Sequence, residues 1–222
     1  MKVTALLPLK EHSERVPNKN IRIFAGKPLY HHIAKVLQSS DHIESILVDT
    51  DSEIIAAEAV NFFSKVKIII RPVELRGDFV PMNEIIEHDL NFAESDHILQ
   101  THSTNPLLTT VTLETAIKQY FDSIPQFDSL FSVTKIQNRF FWESGKPVNH
   151  DPNKLLRTQD LSPLFEENSN IYLFSKKSFS SSKKNRIGPK PKMFVMSKLE
   201  SIDIDDMDDW KLAEALYKSK NK

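Results

Sequence analysis

The chain has 222 residues, of which 40% are hydrophobic and 27% are charged, and its formal net charge is −1. This length suits one large domain with a full core, and the balanced composition argues against a disordered protein and a membrane protein. The near-zero net charge excludes the strongly basic footprint of a nucleic-acid binder, and the absence of cysteine excludes disulfides, thiolate metal sites and cysteine nucleophiles. A metal site here must therefore use oxygen or imidazole ligands.

The N-terminus begins with a brief apolar run over residues 3–8, which is followed closely by charged residues. This pattern predicts a first strand buried on both faces rather than a secretion signal. The sequence also lacks an apolar run of the roughly 20 residues that span a bilayer. We therefore expect a cytoplasmic protein that has no membrane partner.

Strands and helices alternate through the first half of the chain. Apolar runs predict strands and apolar residues at helical spacing predict helices, in the order strand 3–8, helix 28–38, strand 45–50, a helix capped at 51–53 and running toward residue 63, strand 66–70, helix 82–93, strand 97–100 and helix 111–121. This alternation predicts an α/β fold with a mostly parallel sheet and helices on both faces.

The pattern changes after residue 127. Strands are predicted at 130–135, 170–174 and 193–196, and a closing helix is predicted at 210–217. Residues 139–150 contain a turn signature between two hairpin arms, so this region is expected to project as an arm. Residues 176–192 hold seven cations among serines and prolines, which is typical of a solvated, mobile loop or of a flap that binds anions.

The loop after the first strand is the first place to look for a ligand, because ligands of parallel α/β sheets bind beyond the carboxyl ends of the strands. It carries four cations, Lys10, Arg15, Lys19 and Arg22, together with Ser13 and two asparagines. A triphosphate needs such donors, although a polar surface loop would have a similar composition. The sequence lacks both common glycine fingerprints, which argues against a dinucleotide dehydrogenase and a P-loop phosphotransferase.

The segment 201–210 is rich in aspartate. In an extended stretch, Asp203 and Asp205 would share one face while Ile202 and Ile204 turn into the core. Two carboxylates on one face repel each other unless a cation lies between them, and Mg²⁺ accepts such ligands. The other aspartates are explained by helix capping, but this pair is not, so it is a candidate metal site.

Five segments, in the correct order, resemble motifs of the acylneuraminate cytidylyltransferase family. They are Lys10, Ser13 and Lys19-Asn20 in the first loop, Val48-Asp49-Thr50-Asp51-Ser52, Arg71-Pro72-Val73-Glu74-Leu75 with Gly77-Asp78, Arg157-Thr158-Gln159-Asp160-Leu161 with Glu167-Asn168 and Ile171-Tyr172, and Ser201-Ile202-Asp203-Ile204-Asp205 with Asp209-Trp210. The resemblance runs over nearly the full length and is carried by the order of the motifs.

The resemblance implies a single Rossmann-like nucleotidyltransferase domain over residues 1–222, in which residues 136–175 form a late β-hairpin arm for dimerisation and substrate contact. It implies a homodimer that uses Mg²⁺ to transfer CMP from CTP to a nine-carbon keto sugar acid of the sialic, legionaminic or pseudaminic type, with release of pyrophosphate. Positioning and charge neutralisation would supply most of the acceleration of this displacement.

The resemblance also assigns roles to individual residues. The nucleotide-binding residues would be Lys10, Ser13, Lys19, Asn20, Arg71 and Asp78, the acceptor-binding residues would be Gln100, His102, Gln159, Asn168 and Tyr172, and the metal ligands would be Asp203 and Asp205. Lys10, Lys19 and Asp205 would be catalytic. Some of the acceptor contacts are expected across the dimer.

Four departures from the motifs leave alternatives open. Glu11 and His12 replace the glycines of the family loop. Glu14 stands where that loop has a cation, which weakens the phosphate site unless Arg15 or Arg22 pairs with it. The acceptor-binding turn has a different sequence, and Thr158 replaces an arginine. A degenerate relative that binds nucleotide or sugar acid without turnover is therefore the second hypothesis.

A glycosyltransferase on a similar fold is a third hypothesis. Such an enzyme would carry a D-x-D metal motif away from the C-terminus. Outside the C-terminal segment, that spacing occurs only at 49–51, where a strand end and a helix cap explain it better.

Overall fold

The computed structural model of the protein describes residues 1–220. Its strands are β1 (Val3–Leu6), β2 (Ile23–Phe24), β3 (Lys27–Pro28), β4 (Ile43–Thr50), β5 (Val66–Ile70), β6 (His97–Gln100), β7 (Ser129–Ile136), β8 (Leu164–Ser175) and β9 (Pro191–Met196). Its α-helices are α1 (Leu29–Ser39), α2 (Glu53–Phe62), α3 (Met82–Asp89), α4 (Thr110–Ser123), α5 (Lys176–Ser181) and α6 (Met207–Lys220). All seven predicted strands and all five predicted helices are present.

The main sheet has seven strands in the order β5-β4-β1-β6-β8-β7-β9. Strands β5, β4, β1 and β6 are parallel, whereas β8 runs antiparallel to both of its neighbours. In the register, Leu6 lies opposite Leu47 on one side and opposite Gln100 on the other. The loops that follow β1, β4 and β6 therefore leave the sheet at one edge.

Helices cover both faces of the sheet, as the alternation predicts. Ala5 packs in a core cluster with residues of α1, α2 and α4, whereas Leu6 packs in a second cluster with residues of α3 and α5. Adjacent strand residues point to opposite faces, so these two clusters are the two sides of the sheet. The fully buried side chains of β1 make it the centre of both.

A third cluster joins the first loop to the C-terminal helix. It contains Val16, Phe24, Leu29, Ile204, Trp210 and Ala213. The rings of Phe24 and Trp210 meet edge to face with their centroids 5.4 Å apart. The acidic segment before α6 is thereby held beside the loop after β1.

Several predicted boundaries differ from the structure, and β8 begins at Leu164, six residues before its predicted start. Helix α3 ends at Asp89, four residues before the predicted end, and the carbonyl of His88 accepts from both the side-chain amide (3.0 Å) and the backbone N–H (3.2 Å) of Asn91, which close the turn beyond the helix. The predicted loop at 176–192 begins instead with α5. Ser175 and Ser178 form a capping box there, and the buried Phe179 anchors the turn, so the prediction of a loop was wrong for these residues.

The predicted late hairpin is short and exposed. Val148 N donates to the carbonyl of Phe140 (2.9 Å), Phe141 pairs with Pro147, and Gly145 has a φ of 79°, which supplies the turn. Phe141 and Trp142 are 57% and 62% exposed. That this arm forms a dimer contact stays a prediction. Within residues 1–220, none of the helices is long and apolar enough to cross a lipid bilayer.

Candidate functional site

A cavity of about 240 Å³ opens at the carboxyl edge of the parallel strands. All six residues predicted to bind the nucleotide line it, together with His102 from the predicted acceptor set: Lys10, Ser13, Lys19, Asn20, Arg71, Asp78 and His102. These residues come from the loop after β1, the segment after β5 and the turn after β6. Sequence-distant positions thus meet at one site because the parallel strands end at one edge.

The loop after β1 is anchored by Asn20, which is buried. Its Nδ2 donates to the carbonyl of Lys10 (2.7 Å), and its Oδ1 accepts from the hydroxyl of Ser103 (2.5 Å). Asn20 therefore closes the loop on itself and ties it to the turn after β6. This fixes the positions of the cations at the two ends of the loop.

Lys10 forms an ion pair with Asp78 in which both side chains are half exposed. The Lys10 ammonium lowers the pKa of Asp78 through a hydrogen bond and through its charge. A phosphate that binds Lys10 would compete with this carboxylate. Glu14 lies close to Asp78 as well, and neither arginine pairs with it, because Arg15 binds Asp205 and Arg22 lies over the ring of Trp210.

Lys19 also lines the cavity, and it faces the acidic segment. Its Nζ donates to the carbonyl of Ile204 (2.7 Å), the residue between Asp203 and Asp205. Burial lowers the pKa of Lys19, while the two carboxylates oppose that shift. The charge of Lys19 therefore interacts directly with those of Asp203 and Asp205.

The two acids differ in their surroundings. Burial raises the pKa of Asp203, and a hydrogen bond from Thr104 opposes the shift, while the charge of Asp205 adds to it. Asp203 Oδ1 is buried and has no hydrogen-bond partner among the described residues. The Asp205 side chain is 51% exposed, and its Oδ1 accepts from Arg15 Nη2 (2.8 Å).

The other aspartates of this segment organise the backbone, as predicted. Asp206 Oδ1 accepts from the N–H groups of Asp208 (2.8 Å) and Asp209 (3.0 Å), and Asp209 Oδ2 accepts from those of Asp205 and Asp206 (3.1 Å each). The carboxylates of Asp203 and Asp205 take no part in this capping. The segment lies outside the sheet and is held by a bond from Ile204 N to the carbonyl of Thr104 (2.9 Å).

The predicted acceptor residues divide into two groups. Gln100, His102 and Tyr172 come together next to the cavity, because β6 and β8 are paired and Gln100 lies opposite Tyr172. Gln100 Nε2 is 3.0 Å from His102 Nε2. Burial, with the nearby charges of Arg186 and Lys19, lowers the pKa of His102 to about 3, so the imidazole is neutral at ordinary pH.

Asn168 and Gln159 are not brought to the cavity. The buried amide of Asn168 accepts from Ser132 Oγ (2.6 Å) and donates to Thr134 Oγ1 (3.1 Å), so it joins β8 to β7. Gln159 is exposed in a short 3₁₀ turn, Thr158–Asp160, where its carbonyl accepts from Gln137 (2.7 Å).

Arg186 lies against Gln100 and Tyr172, and the sequence analysis did not single it out. Its side chain is 17% exposed, Nη1 donates to Gln100 Oε1 (2.5 Å), and Cζ lies 3.6 Å from the centroid of the Tyr172 ring. The nearest carboxylate in an ion pair with it, Glu167, is 3.9 Å away. The cationic composition of residues 176–192 was the available signal, but composition does not select one of seven cations.

Comparisons with known proteins show which family the chain resembles over its length. The sequence profile of a family described as cytidylyltransferase matches residues 4–221. The chain is 25% identical to a pseudaminic acid cytidylyltransferase of Campylobacter jejuni, over 98% of this chain and 97% of that protein. It is 29% identical to a CMP-N,N'-diacetyllegionaminic acid synthase of Legionella pneumophila, over 97% of this chain and 96% of that protein.

The solved structures support the fold. A CMP:2-keto-3-deoxy-manno-octonic acid synthetase complexed with CTP superposes on this chain with a TM-score of 0.74 at 14% identity, over 99% of this chain and 100% of that one. At this level of identity the likeness establishes a shared architecture.

Proposed function

The chain belongs to the cytidylyltransferase family, and from this premise we propose that it transfers CMP from CTP to a nine-carbon keto sugar acid and releases pyrophosphate. The observation that carries the proposal is the single cavity in which the cationic loop after β1 and Arg71 meet, with Lys19 facing the Asp203 and Asp205 carboxylates. Cations that line a cavity, and paired acids next to one of those cations, are what a nucleoside triphosphate and its metal require.

The nucleotide side is assigned as follows. Lys10, Ser13 and Lys19 hold the phosphates, because all three line the cavity and carry hydrogen-bond donors. Asn20 and Arg71 bind the ribose and the base. Their side chains are buried and fixed by hydrogen bonds, so little conformational entropy is lost when the nucleotide binds.

The donor set beside Lys19 fits a magnesium ion. Asp203 offers a buried carboxylate oxygen that has no hydrogen-bond partner among the described residues, Asp205 offers a partly exposed one, and Mg²⁺ prefers oxygen ligands. When bound, the ion would supply neutralisation of phosphate charge and a lower pKa for a hydroxyl next to it. Lys19 holds the carbonyl between the two acids and so orients both of them.

The acceptor side is assigned to Gln100, His102, Tyr172 and Arg186. Arg186 is a largely buried cation that donates to Gln100 and whose ion-pair partner, Glu167, is 3.9 Å away, too far for a direct hydrogen bond. The keto acid acceptors of the two relatives would bring a carboxylate, and an arginine binds carboxylates through paired hydrogen bonds. Gln159 would reach an acceptor only from a partner subunit, as the family resemblance implies for a homodimer.

A protein that binds nucleotide without turnover is the second candidate. It is favoured by the carboxylates of Asp78 and Glu14, which lie beside Lys10 where a triphosphate brings negative charge. Repulsion from these carboxylates would weaken phosphate binding unless they move away or bind a cation.

Incubation with CTP, Mg²⁺ and a panel of sialic, legionaminic and pseudaminic acids tests both candidates. Pyrophosphate release that depends on the acceptor supports the transferase. CTP binding without release under every condition supports the second candidate, and absence of CTP binding overturns the assignment of the cleft. Lys19→Gln should lose release, whereas Lys27→Gln, on the exposed strand β3, is the matched control.

A further inference from the structure

A second group of titratable side chains lies behind the cavity wall. Asp49 on β4 and Asp89 at the end of α3 are both 0% exposed, and His88 packs beside them. Arg71 Nε forms an ion pair with Asp49 Oδ1, and its Nη2 donates to the Asp49 carbonyl (3.1 Å). The guanidinium that lines the nucleotide cavity is therefore held from behind by this group.

The charges of the group do not balance if both acids are ionised. Among the described residues, Arg71 is the one permanent cation that faces them, and two buried carboxylates next to one cation leave a negative charge uncompensated. Asp89 is also the last residue of α3, where the negative end of the helix dipole opposes ionisation. The remaining facing group is His88, whose Nδ1 is 3.2 Å from Asp89 Oδ1 and 3.8 Å from Asp49 Oδ2.

The hydrogen-bond inventory points to a proton at this position. Asp49 Oδ2 and Asp89 Oδ2 are both buried without a hydrogen-bond partner among the described residues. One proton shared between the two carboxyl groups would satisfy both oxygens at once. Burial, and then the charge of Asp49, raise the pKa of Asp89 well above its usual range, and Arg71 opposes the shift.

We propose that Asp89 is a positioning residue of the nucleotide cleft: it shares one proton with Asp49, and the pair holds the Arg71 guanidinium against the cavity. Asp89 acts through Arg71 and is not expected to touch CTP. The choice of CTP as the ligand rests on the proposed function, whereas the shared proton does not depend on it.

Thermal unfolding across pH tests the proton without any substrate. The folded-state pKa of Asp89 is raised above its unfolded value, so the stability that it contributes is present at low pH and is lost as pH rises. In the Asp89→Asn variant, the side-chain amide would donate the same hydrogen bond at every pH. The unfolding temperature of this variant should therefore rise relative to that of the wild type as the pH increases from about 5 to about 8.

Asp122→Asn is the matched control, because Asp122 is an exposed acid near the end of α4 that pairs with Lys118. Its difference from the wild type should stay nearly constant over the same pH range. A difference between Asp89→Asn and the wild type that stays constant or shrinks would mean that Asp89 is ionised, which overturns the proposal.

Steady-state kinetics test the link to Arg71. Asp89→Ala should raise the KM for CTP about tenfold and change kcat less, since loss of one charge-assisted contact corresponds to about that factor. Asp89→Asn should restore most of this loss, and equal defects in the two variants would overturn the positioning role. If the protein proves inactive, the Kd for CTP is measured in place of KM. Failure of the transferase assignment is then distinguishable from failure of the positioning role of Asp89.

Metal addition gives a further outcome. The ligand atoms of Asp49, His88 and Asp89 lie within 4.8 Å of one another, a spacing that could also hold a metal ion. Zn²⁺ or Mn²⁺ that stabilises the wild type but not Asp89→Asn would identify a cation in place of the proton and overturn the proposal. No differential stabilisation is the result expected.

Discussion

The two halves of the cleft are built differently. The nucleotide half consists of loops that follow parallel strands, and all six residues predicted for it line one cavity. The acceptor half is formed where the antiparallel strand β8 and the segment after α5 meet β6, and one of its five predicted residues, His102, lines that cavity. A ligand site at the end of parallel strands thus follows from topology alone, whereas a site at an antiparallel junction depends on contacts that local sequence does not specify.

The largest loss of activity is expected from substitutions in the acidic segment before α6. Asp203→Asn and Asp205→Asn should each lower kcat by about 10²-fold or more, because each removes a charged oxygen ligand from the proposed metal site. The loss should be measured as pyrophosphate release over a titration of Mg²⁺. Higher Mg²⁺ should recover part of the activity if the acids bind the ion.

Asp208→Asn is the control for this pair. Asp208 is an exposed acid at the start of α6 that pairs with Lys211, so its loss changes the local charge by the same amount without touching the cleft. If all three variants lose activity equally, the acids act only through their summed charge and the metal assignment fails.

A substitution of Arg186 should affect binding of the sugar acid more than binding of CTP. Arg186→Gln should raise the KM for the sugar acid by about tenfold to a hundredfold and the KM for CTP much less, since a buried charged hydrogen bond is worth about 1.5–3 kcal/mol. Kinetics with each substrate varied in turn measure the two values. Lys190→Gln, at an exposed cation of the same segment, is the control.

Equal effects of Arg186→Gln on both substrates would show that the two halves are not independent. His102 is where such coupling would arise, because it lines the cavity and also lies beside Gln100.

Much of the fold could be predicted because its signals are local. Short apolar runs marked all seven strands of the main sheet, and helical spacing marked five helices. Helix α5 was missed because it depends on a capping box between two serines in a segment rich in serine and lysine. The surroundings of Asp203 and Arg186 were not predictable, because burial of a charged side chain is set by tertiary neighbours such as Thr104 and Tyr172.

The smallest effect concerns the two predicted acceptor residues that lie away from the cavity. Asn168→Ala should lower the free energy of unfolding by about 1–3 kcal/mol, because it removes two buried hydrogen bonds, to Ser132 Oγ and to Thr134 Oγ1, although these hydroxyl groups keep their bonds to Ile171 N and Ser201 Oγ. Gln159→Ala should change it by less than about 0.5 kcal/mol, since its side chain is exposed. Urea unfolding measures both.

Kinetics on the same two variants sharpen the comparison of the halves. A raised acceptor KM in Gln159→Ala, with stability unchanged, would support a contribution across a dimer. A stable Asn168→Ala with a raised acceptor KM would instead move Asn168 from the sheet interior to the acceptor site.

The packing of Trp210 against Phe24 makes the acidic segment observable by fluorescence. The protein has two tryptophans, of which Trp142 is exposed on the hairpin and Trp210 is buried next to Asp209. A Trp142→Phe variant would leave one tryptophan, whose emission we expect to change when the segment in which Asp209 holds the backbone of Asp205 rearranges. Binding of a cation by the acid pair should therefore be detectable optically without an added dye.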